Sequence, residues 1–379
     1  MKGLLDFLKR IPKVELHIHL EGSIPCAVTD NKNFFKKYTE AAKCLKTPAD
    51  LVGAIRYIYE DRFKQNILYT EYYYQSNFHI RDMPLLVQLN ALNDAIEEEH
   101  TKYLAKGKDI IVRIIIDFPR TQTFPMPHAT KKYIRDIIKW QKEKRSRMIV
   151  GFGLGGRFET CRGAINRNPK QWNKNRCEPL TYKDIFAEAR KTGYKIIPHA
   201  GETSGWKTVV DTIQYLRPHR IGHGIRMMEN PKLVENIVKS GLVVDVCPTS
   251  NLMTLDFYLK EGKTSKEHYD AICEQKELNY KYDEKGEVME GFDEKYPYLG
   301  KIDHPVKKML DAGIKITINS DDPAVFGTDL TQELILCMKK YNFSLKDIYK
   351  VLRNAIDGIC DVDYKEYLRE ELDDFIKTY

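Results

Sequence analysis

Two histidines one residue apart stand in VELHIHLEG, which spans residues 14–22. Side chains two positions apart on a strand point to the same face, so His17 and His19 would present their rings together. Neutral imidazoles are common ligands of divalent transition metals. A pair of hydrogen-bonded strand histidines without a metal is the competing interpretation, and this motif alone does not decide between the two.

Similar residues follow other apolar segments far along the chain. They are His199 in PHAGE, His223 in IGHG, and Asp321 and Asp322 in INSDDP. His17, His19, His199 and Asp321 together would supply three imidazoles and one carboxylate, a ligand set that suits Zn²⁺. The sequence therefore predicts a zinc site, provided that the fold brings these segments together.

The segments that carry these residues are predicted to be strands. Eight apolar runs lie at 14–19, 67–74, 109–118, 148–154, 194–199, 220–224, 242–247 and 314–320. Helical patterns lie between them at 50–65, 84–104, 129–143, 182–192, 206–216, 231–240 and 304–312, and again from about 329 onward. Strands joined by helical crossovers form parallel sheets, and eight such units predict an α/β fold of the (β/α)₈ TIM-barrel type with additional helices. Functional residues then meet at the carboxyl ends of the strands.

The fourth predicted strand bears on the number of metal ions. Hydrolases with two metals on related barrels usually use a modified lysine near this strand, and MIVGFGLGG (148–156) contains none. We therefore expect one zinc ion per chain. The chain has no linker rich in Pro, Gly or Ser, so residues 1–379 are predicted to form one domain, with an inserted segment at about 252–303 before the eighth strand.

Composition excludes several classes of function. The net charge of +7 is modest, and the basic residues are dispersed apart from a short cluster at 142–147, which indicates no nucleic-acid partner. No stretch approaches ~18 uninterrupted apolar residues, so no membrane span is expected. Eight cysteines without a C-x-x-C pair read as reduced thiols. These features predict a cytoplasmic protein, and they indicate no obligate protein partner.

Two residues near the predicted ligands could carry protons. Glu202 closely follows His199, and in an apolar-walled mouth it could hold a proton for transfer to a substrate. The competing interpretation is an ordinary carboxylate at a helix N-terminus. His223 could be a catalytic group or a hydrogen-bonded structural histidine. Asp322 could contact a substrate or only support the metal ligands.

Five motifs in order carry a resemblance to a known family. PKVELHIHLEGS, PHAGE, RIGHG, CPTSN and INSDDP, between about residues 11 and 330, resemble the adenosine deaminase family of the metal-dependent amidohydrolase superfamily. In that family one zinc ion activates water, which adds to C6 of a 6-aminopurine and expels ammonia. The resemblance implies a hydrolase of purine metabolism with a small-molecule substrate.

The resemblance also implies a role for each site residue. His17, His19, His199 and Asp321 match the zinc ligands, and Glu202 matches the acid that protonates purine N1. His223 matches the histidine beside the attacking water. Asp322 matches the residue that faces N7, and Gly156 matches the backbone donor to N3.

The motifs leave several 6-aminopurines as candidate substrates. Glu21 stands where adenosine-specific relatives commonly have an aspartate that meets a ribose hydroxyl, whereas adenine-specific relatives have glutamate. Gly156 favours a nucleoside, because the adenine group typically has serine there. We expect adenosine or deoxyadenosine, converted to inosine or deoxyinosine. The alternatives are adenine, a modified or bulkier 6-aminopurine nucleoside, and a non-catalytic metal-binding scaffold.

Overall fold

Parallel strands and helices alternate along the chain in the computed structural model, which describes residues 2–25, 34–119, 127–156, 179–202, 205–254 and 304–378. The strands are β1 (Lys13–His19), β2 (Ile67–Tyr74), β3 (Ile111–Pro119), β4 (Ile149–Gly155), β5 (Lys195–Ile196), β6 (His199–Ala200), β7 (Arg220–His223), β8 (Val243–Val246) and β9 (Lys315–Ile318). The helices are Lys2–Arg10, Phe34–Ala42, Pro48–Gln65, Ser76–His79, Leu85–Leu104, Pro127–Lys144, Pro179–Lys191, Lys207–Leu216, Pro231–Ser240, Pro248–Thr254, Val306–Asp311, Pro323–Phe326, Leu330–Lys340, Leu345–Gly358 and Lys365–Thr378. Each predicted strand and each predicted helix is present.

The predicted fifth strand is interrupted and appears as β5 and β6. Pro198 lies at the interruption, and proline has no amide hydrogen to donate to a neighbouring strand. The flanking hydrogen bonds continue, because Ile197 N–H donates to Phe152 O (2.9 Å) and Gly222 N–H donates to Pro198 O (3.0 Å). The two parallel sheets, β1-β2-β3-β4-β5 and β6-β7-β8-β9, are therefore adjacent.

The first and last strands meet and close the ring. Ile18 pairs in parallel with Asp321. His19 N–H donates to Asp321 O (2.7 Å), and Asp321 N–H donates to His17 O (3.1 Å). Two residues before Asp321, Asn319 Oδ1 accepts the N–H groups of Leu16 (2.9 Å) and His17 (3.1 Å). The predicted TIM-barrel fold is confirmed.

Local sequence explains where the helices begin and why the strands are buried. Thr47 and Asp50 form a capping box at the start of Pro48–Gln65, and Ser344 and Asp347 do the same for Leu345–Gly358. Every residue of β2 and β3 is buried, as expected for parallel strands that are covered by helices outside and by side chains within the barrel.

A buried ionic network lies inside the barrel, below the carboxyl ends of the strands. The guanidinium of Arg220 on β7 donates to Asp245 on β8 (2.8 Å), to Glu71 on β2 (2.8 Å) and to the carbonyl of Gly358 (2.7 Å). Thr317 on β9 donates its hydroxyl proton to Asp245 (2.9 Å). A buried charge is tolerated only when it is paired and hydrogen-bonded. These contacts therefore fix the positions of β2, β7, β8 and β9 relative to one another along the barrel axis.

Three further expectations concern the cysteines, the membrane and the insert. Cys44 is disulfide-bonded, so the expectation of reduced thiols throughout is wrong, while Cys247, Cys337 and Cys360 are free and buried. Within the part of the chain that the structure describes, no helix is long and apolar enough to cross a membrane. Of the predicted insert, residues 252–254 belong to helix Pro248–Thr254, and residues 255–303 lie outside the described residues.

His219 gives a testable pH dependence of stability. Burial, followed by repulsion from Lys195 and Arg190, lowers the pKa of His219 from 6.5 to about 4. Its neutral Nδ1 accepts the N–H of Ile196 (3.0 Å) at the interrupted strand. Between pH 4 and pH 6.5 the unfolded chain therefore binds more protons than the folded chain, so the free energy of unfolding falls as the pH is lowered through this range.

The variant His219→Asn removes the titration and keeps an oxygen that can accept the same N–H. Because His219 is partly exposed, we expect the variant to lose about 1–2 kcal/mol less than the wild type on acidification. Urea unfolding of both metal-free proteins at pH 6.5 and pH 4 measures the difference. Equal losses in the two proteins would contradict this role for His219.

Candidate active site

Four side chains from the two ends of the chain and its middle converge at the carboxyl ends of the strands. His17 and His19 end β1, His199 begins β6, and Asp321 follows β9. Their candidate ligand atoms all lie within 4.8 Å of one another. His19 Nε2 lies 3.2 Å from His199 Nε2, and Asp321 Oδ1 lies 3.5 Å from His17 Nε2 and 3.3 Å from His19 Nε2. The structure thus brings all four predicted ligands together.

The chemistry of these side chains fits a metal ion. Within the described residues, neither ring nitrogen of His17 has a hydrogen-bond partner, and both Nδ1 of His19 and Oδ1 of Asp321 also lack one. Burial lowers the pKa of His17 to about 3 and also lowers the pKa of His19, so both imidazoles are neutral. Burial opposes ionisation of Asp321, but the histidines around it outweigh burial and hold its pKa below the ordinary value. Neutral imidazoles and a carboxylate are the forms that bind a divalent metal.

A second group of possible ligands shares two of these residues. His17, His223, Cys247 and Asp321 also have ligand atoms within 4.8 Å of one another. Burial raises the pKa of the Cys247 thiol, and the carboxylate of Asp321 raises it further. The thiol form is a poor ligand, because metals bind the thiolate. The group of three histidines and one aspartate is therefore the better metal site.

Two of the converging residues have an unusual backbone conformation. His223 and Asp321 both have φ of +63°, in the left-handed region that non-glycine residues rarely adopt. Each stands where its strand ends, so the left-handed turn directs the side chain toward the middle of the barrel mouth. Gly222 is needed beside them, because an added Cβ would collide with the ring of His17.

An aromatic ring lies beneath the histidines and was not predicted from the sequence. The ring of Tyr73 on β2 lies 4.7 Å from His17, 5.1 Å from His19 and 4.9 Å from His199, measured between ring centroids. Its hydroxyl donates to the carbonyl of Ile197 (3.2 Å). The tyrosine-rich segment ILYTEYYY was the only signal, and nothing in it distinguishes Tyr73 from its neighbours.

Glu202 and His223 lie next to the four-residue cluster. His223 Nε2 is 3.7 Å from Glu202 Oε2 and 4.0 Å from Asp321 Oδ2. His223 is buried, whereas the side chain of Glu202 is 16% exposed. Glu202 can therefore contact both the buried four-residue cluster and a molecule that enters the mouth of the barrel.

Asp322 is buried directly beside the cluster. A Cβ on Gly22 would collide with the carboxyl group of Asp322, so glycine is required at this position just after β1. Burial raises the pKa of Asp322 well above the ordinary value, and the charges of Asp321, Glu21 and Glu202 raise it further. Both causes favour the neutral carboxyl group.

Glu21 is hydrogen-bonded on both carboxylate oxygens by other parts of the chain. Oε1 accepts the backbone N–H of Gln75 (2.9 Å) and lies 3.2 Å from His79 Nε2. Oε2 accepts the hydroxyl proton of Tyr38 (3.3 Å). Glu21 was predicted from the sequence, but none of these three partners was, because they come from other segments.

The glycines at the end of β4 accommodate another missed residue. Cβ atoms on Gly153 and Gly155 would both meet the carboxylate of Asp117, which lies near the end of β3 and accepts a hydrogen bond from Gln75 Nε2 (2.9 Å). Gly156 follows with φ of +85°, a conformation that favours glycine. The glycine cluster therefore brings a buried acid, Asp117, to the same mouth.

Comparisons with known proteins identify the family of this chain. The sequence model of the family described as adenosine deaminase matches residues 26–261 and 298–375. An adenine deaminase of Cupriavidus necator is 25% identical over 383 residues, covering 94% of this chain and 89% of that protein. An aminodeoxyfutalosine deaminase of Streptomyces avermitilis is 24% identical over 405 residues, covering 100% of this chain and 95% of that protein.

Solved structures share the fold. An amidohydrolase from Burkholderia ambifaria with bound Zn superposes with a TM-score of 0.71 at 21% identity, covering 99% of this chain and 94% of the other. An adenine deaminase from Arthrobacter aurescens gives 0.69 at 20% identity, covering 97% and 100%. This protein is a metal-dependent hydrolase that deaminates adenine or a related 6-aminopurine compound, and it belongs to the adenosine deaminase family.

Proposed function

We propose that His17, His19, His199 and Asp321 hold one zinc ion and that the chain uses it to deaminate a 6-aminopurine by hydrolysis. The observation that carries the proposal is the convergence of three buried imidazoles and one buried carboxylate within 4.8 Å. When bound, zinc can lower the pKa of water to about 7 and so supply a nucleophile near neutral pH. The related amidohydrolase with bound Zn supports the choice of metal.

The proposed reaction exchanges an amino group for an oxygen. Water adds to C6 of the purine, the C6–N bond breaks, and ammonia leaves. Glu202, which borders the cluster and remains partly exposed, would hold and deliver a proton at N1. The carboxyl group of Asp322 would face N7, and the backbone N–H of Gly156 would face N3.

We further propose free adenine as the substrate, in place of the adenosine expected from Gly156. Glu21 supports this choice, because Gln75, His79 and Tyr38 already occupy its carboxylate. A carboxylate with its hydrogen bonds made gains little from a sugar hydroxyl. The relatives named adenine deaminase support the same choice.

Adenosine remains the second candidate because of one observation. Gly156, which follows β4 at φ of +85°, has no side chain that could meet a substituent on the purine. A bulkier 6-aminopurine nucleoside would use the same space.

Metal content tests the ligand set. We expect about one zinc ion per chain, because four donor atoms converge around a single point. His17→Ala should lose both the metal and the activity, whereas the remote variant His219→Asn should keep both. Elemental analysis after purification without chelators provides the measurement. Two ions per chain, or full zinc occupancy in His17→Ala, would contradict the proposed site.

Glu202→Gln tests the proton carrier. The amide cannot deliver a proton to N1, and general acid–base steps are worth roughly 10² to 10⁴ in rate. We expect kcat to fall by at least roughly 10², with the zinc content unchanged. Steady-state kinetics and elemental analysis on the same preparation measure both quantities. A kcat within about tenfold of the wild type would show that another group protonates the ring.

Substrate preference tests the role of Glu21. We expect kcat/KM for adenine to exceed that for adenosine by at least roughly 10². Glu21→Asp, which shortens the side chain by one methylene, should break the contacts to Gln75 and His79 and narrow this ratio. The matched control Glu99→Asp changes another buried glutamate, far from the mouth, and should leave the ratio unchanged.

The opposite order of substrates would restore adenosine as the assignment. Turnover of neither purine, with zinc bound, would favour either a modified 6-aminopurine or the non-catalytic scaffold. Absorbance assays on adenine, adenosine, deoxyadenosine and an N6-substituted adenine distinguish these outcomes.

A further inference from the structure

A chain of three hydrogen bonds leads from the backbone to His223. Val306 N–H donates to His304 Nδ1 (3.1 Å), His304 Nε2 lies 3.3 Å from Asn251 Oδ1, and Asn251 Nδ2 lies 3.0 Å from His223 Nδ1. His304, Asn251 and His223 are each only 1% exposed. All three contacts are direct and lie in the protein interior.

The backbone amide sets the direction of every bond in this chain. A backbone N–H can only donate, so His304 Nδ1 accepts and its proton is on Nε2. His304 Nε2–H then donates to the oxygen of Asn251, and the amide nitrogen of Asn251 donates to His223 Nδ1. Because Nδ1 of His223 accepts a hydrogen bond, the proton of the neutral ring is on Nε2.

We propose that His304 and Asn251 are positioning residues that hold His223 as the Nε2–H tautomer, so that His223 acts as a hydrogen-bond donor in the reaction and not as its base. This proposal rests on the deamination proposed above. His223 Nε2 faces the mouth, 3.7 Å from Glu202 Oε2 and 4.0 Å from Asp321 Oδ2.

The tautomer assigns the proton transfers to Glu202. A ring nitrogen that already carries a proton cannot take one from water, but it can donate a hydrogen bond to the oxygen that adds to C6. Glu202 gives its proton to N1 as the C–O bond forms, and it then accepts the proton that the water loses. Glu202 then passes its proton to the amino group, which leaves as ammonia, and recovers a proton from the C6 hydroxyl, so the two hydrogens of water end on N1 and on ammonia.

A purely structural role makes a different prediction. The ring of His304 packs 5.6 Å from that of Tyr341, so its removal could disturb packing alone. Loss of packing would change stability and substrate binding, but it would not move a proton from one nitrogen of His223 to the other. The position of that proton therefore separates the two roles.

Asn251→Asp reverses the direction of the hydrogen bond between residue 251 and His223 Nδ1, with almost no change in the shape of the side chain. An ionised carboxylate only accepts, so it would take hydrogen bonds from both His304 Nε2–H and His223 Nδ1–H. We expect kcat to fall by roughly 10² to 10⁴ with KM changed less than about fivefold and with zinc retained. The matched control Asn93→Asp makes the same change at a buried asparagine far from the site and should keep wild-type kinetics.

Substitutions at His304 test the other link. His304→Gln keeps an N–H group that can donate to Asn251, and we expect its kcat to stay within about tenfold of the wild type. His304→Phe keeps the ring and removes the donor, and we expect its kcat to fall more than that of His304→Gln. Equal kcat values in these two variants would overturn the positioning role of His304.

Nitrogen-15 NMR of the metal-free protein reads the tautomer without any assay of activity. The His223 signals are assigned by their loss in His223→Gln, and the spectra are recorded at mildly alkaline pH. We expect the proton on Nε2 in the wild type and in His304→Gln, and on Nδ1 in Asn251→Asp. A wild-type proton on Nδ1, or the same tautomer in Asn251→Asp, would overturn the proposal.

The two proposals can fail separately. If the wild type turns over no 6-aminopurine but the NMR shows the expected tautomers, the proposed function fails and the hydrogen-bond chain stands. If the wild type is active and Asn251→Asp keeps wild-type kcat and KM, deamination stands and the role of His223 as a positioned donor fails.

Discussion

The buried guanidinium of Arg220 is the contact on which the rest of the structure depends. An unpaired charge in a barrel interior would cost several kcal/mol, so the chain must bring acceptors to it. Glu71 and Asp245 come from β2 and β8, and the carbonyl of Gly358 comes from the end of a C-terminal helix. This one side chain therefore fixes the relative depth of three strands and closes the lower end of the barrel.

The positions of the strands, which Arg220 fixes, also determine the positions of the site residues at the carboxyl ends of the strands. Arg220 and His223 are the first and last residues of β7, so the depth of one sets the height of the other. Another buried carboxylate, Glu15 on β1, accepts the backbone N–H of Ser320 (2.9 Å) and its hydroxyl proton (2.6 Å), immediately before Asp321. The buried carboxylates of Glu71, Asp245 and Glu15 thus hold the backbone beneath His223 and Asp321, whose left-handed conformations would otherwise relax.

Burial gives the mouth its chemical character. The same desolvation that lowers the pKa of His17 keeps its nitrogens neutral, while the surrounding histidines keep Asp321 ionised. The neutral imidazoles and the anionic carboxylate are then ready to bind a metal without releasing or taking up many protons. Glu202 differs from them in being partly exposed, which suits the proton transfer that we propose for it.

The amino-acid sequence by itself determined the strand order, the barrel and the residues that gather at its mouth. Periodicity located each strand, and parallel connectivity placed His17, His19, His199 and Asp321 at one rim, because all strand ends of such a barrel share a side. Only the tertiary structure decided which side chains orient them. The ring of Tyr73 packs against the histidines, although its segment contains several tyrosines with nothing to single it out. Glu21 accepts a hydrogen bond from Gln75. His304 reaches Asn251 across 53 residues of sequence. Such contacts leave no local pattern, because they depend on distances between segments, whereas strands and their ends follow from the periodicity of neighbouring residues.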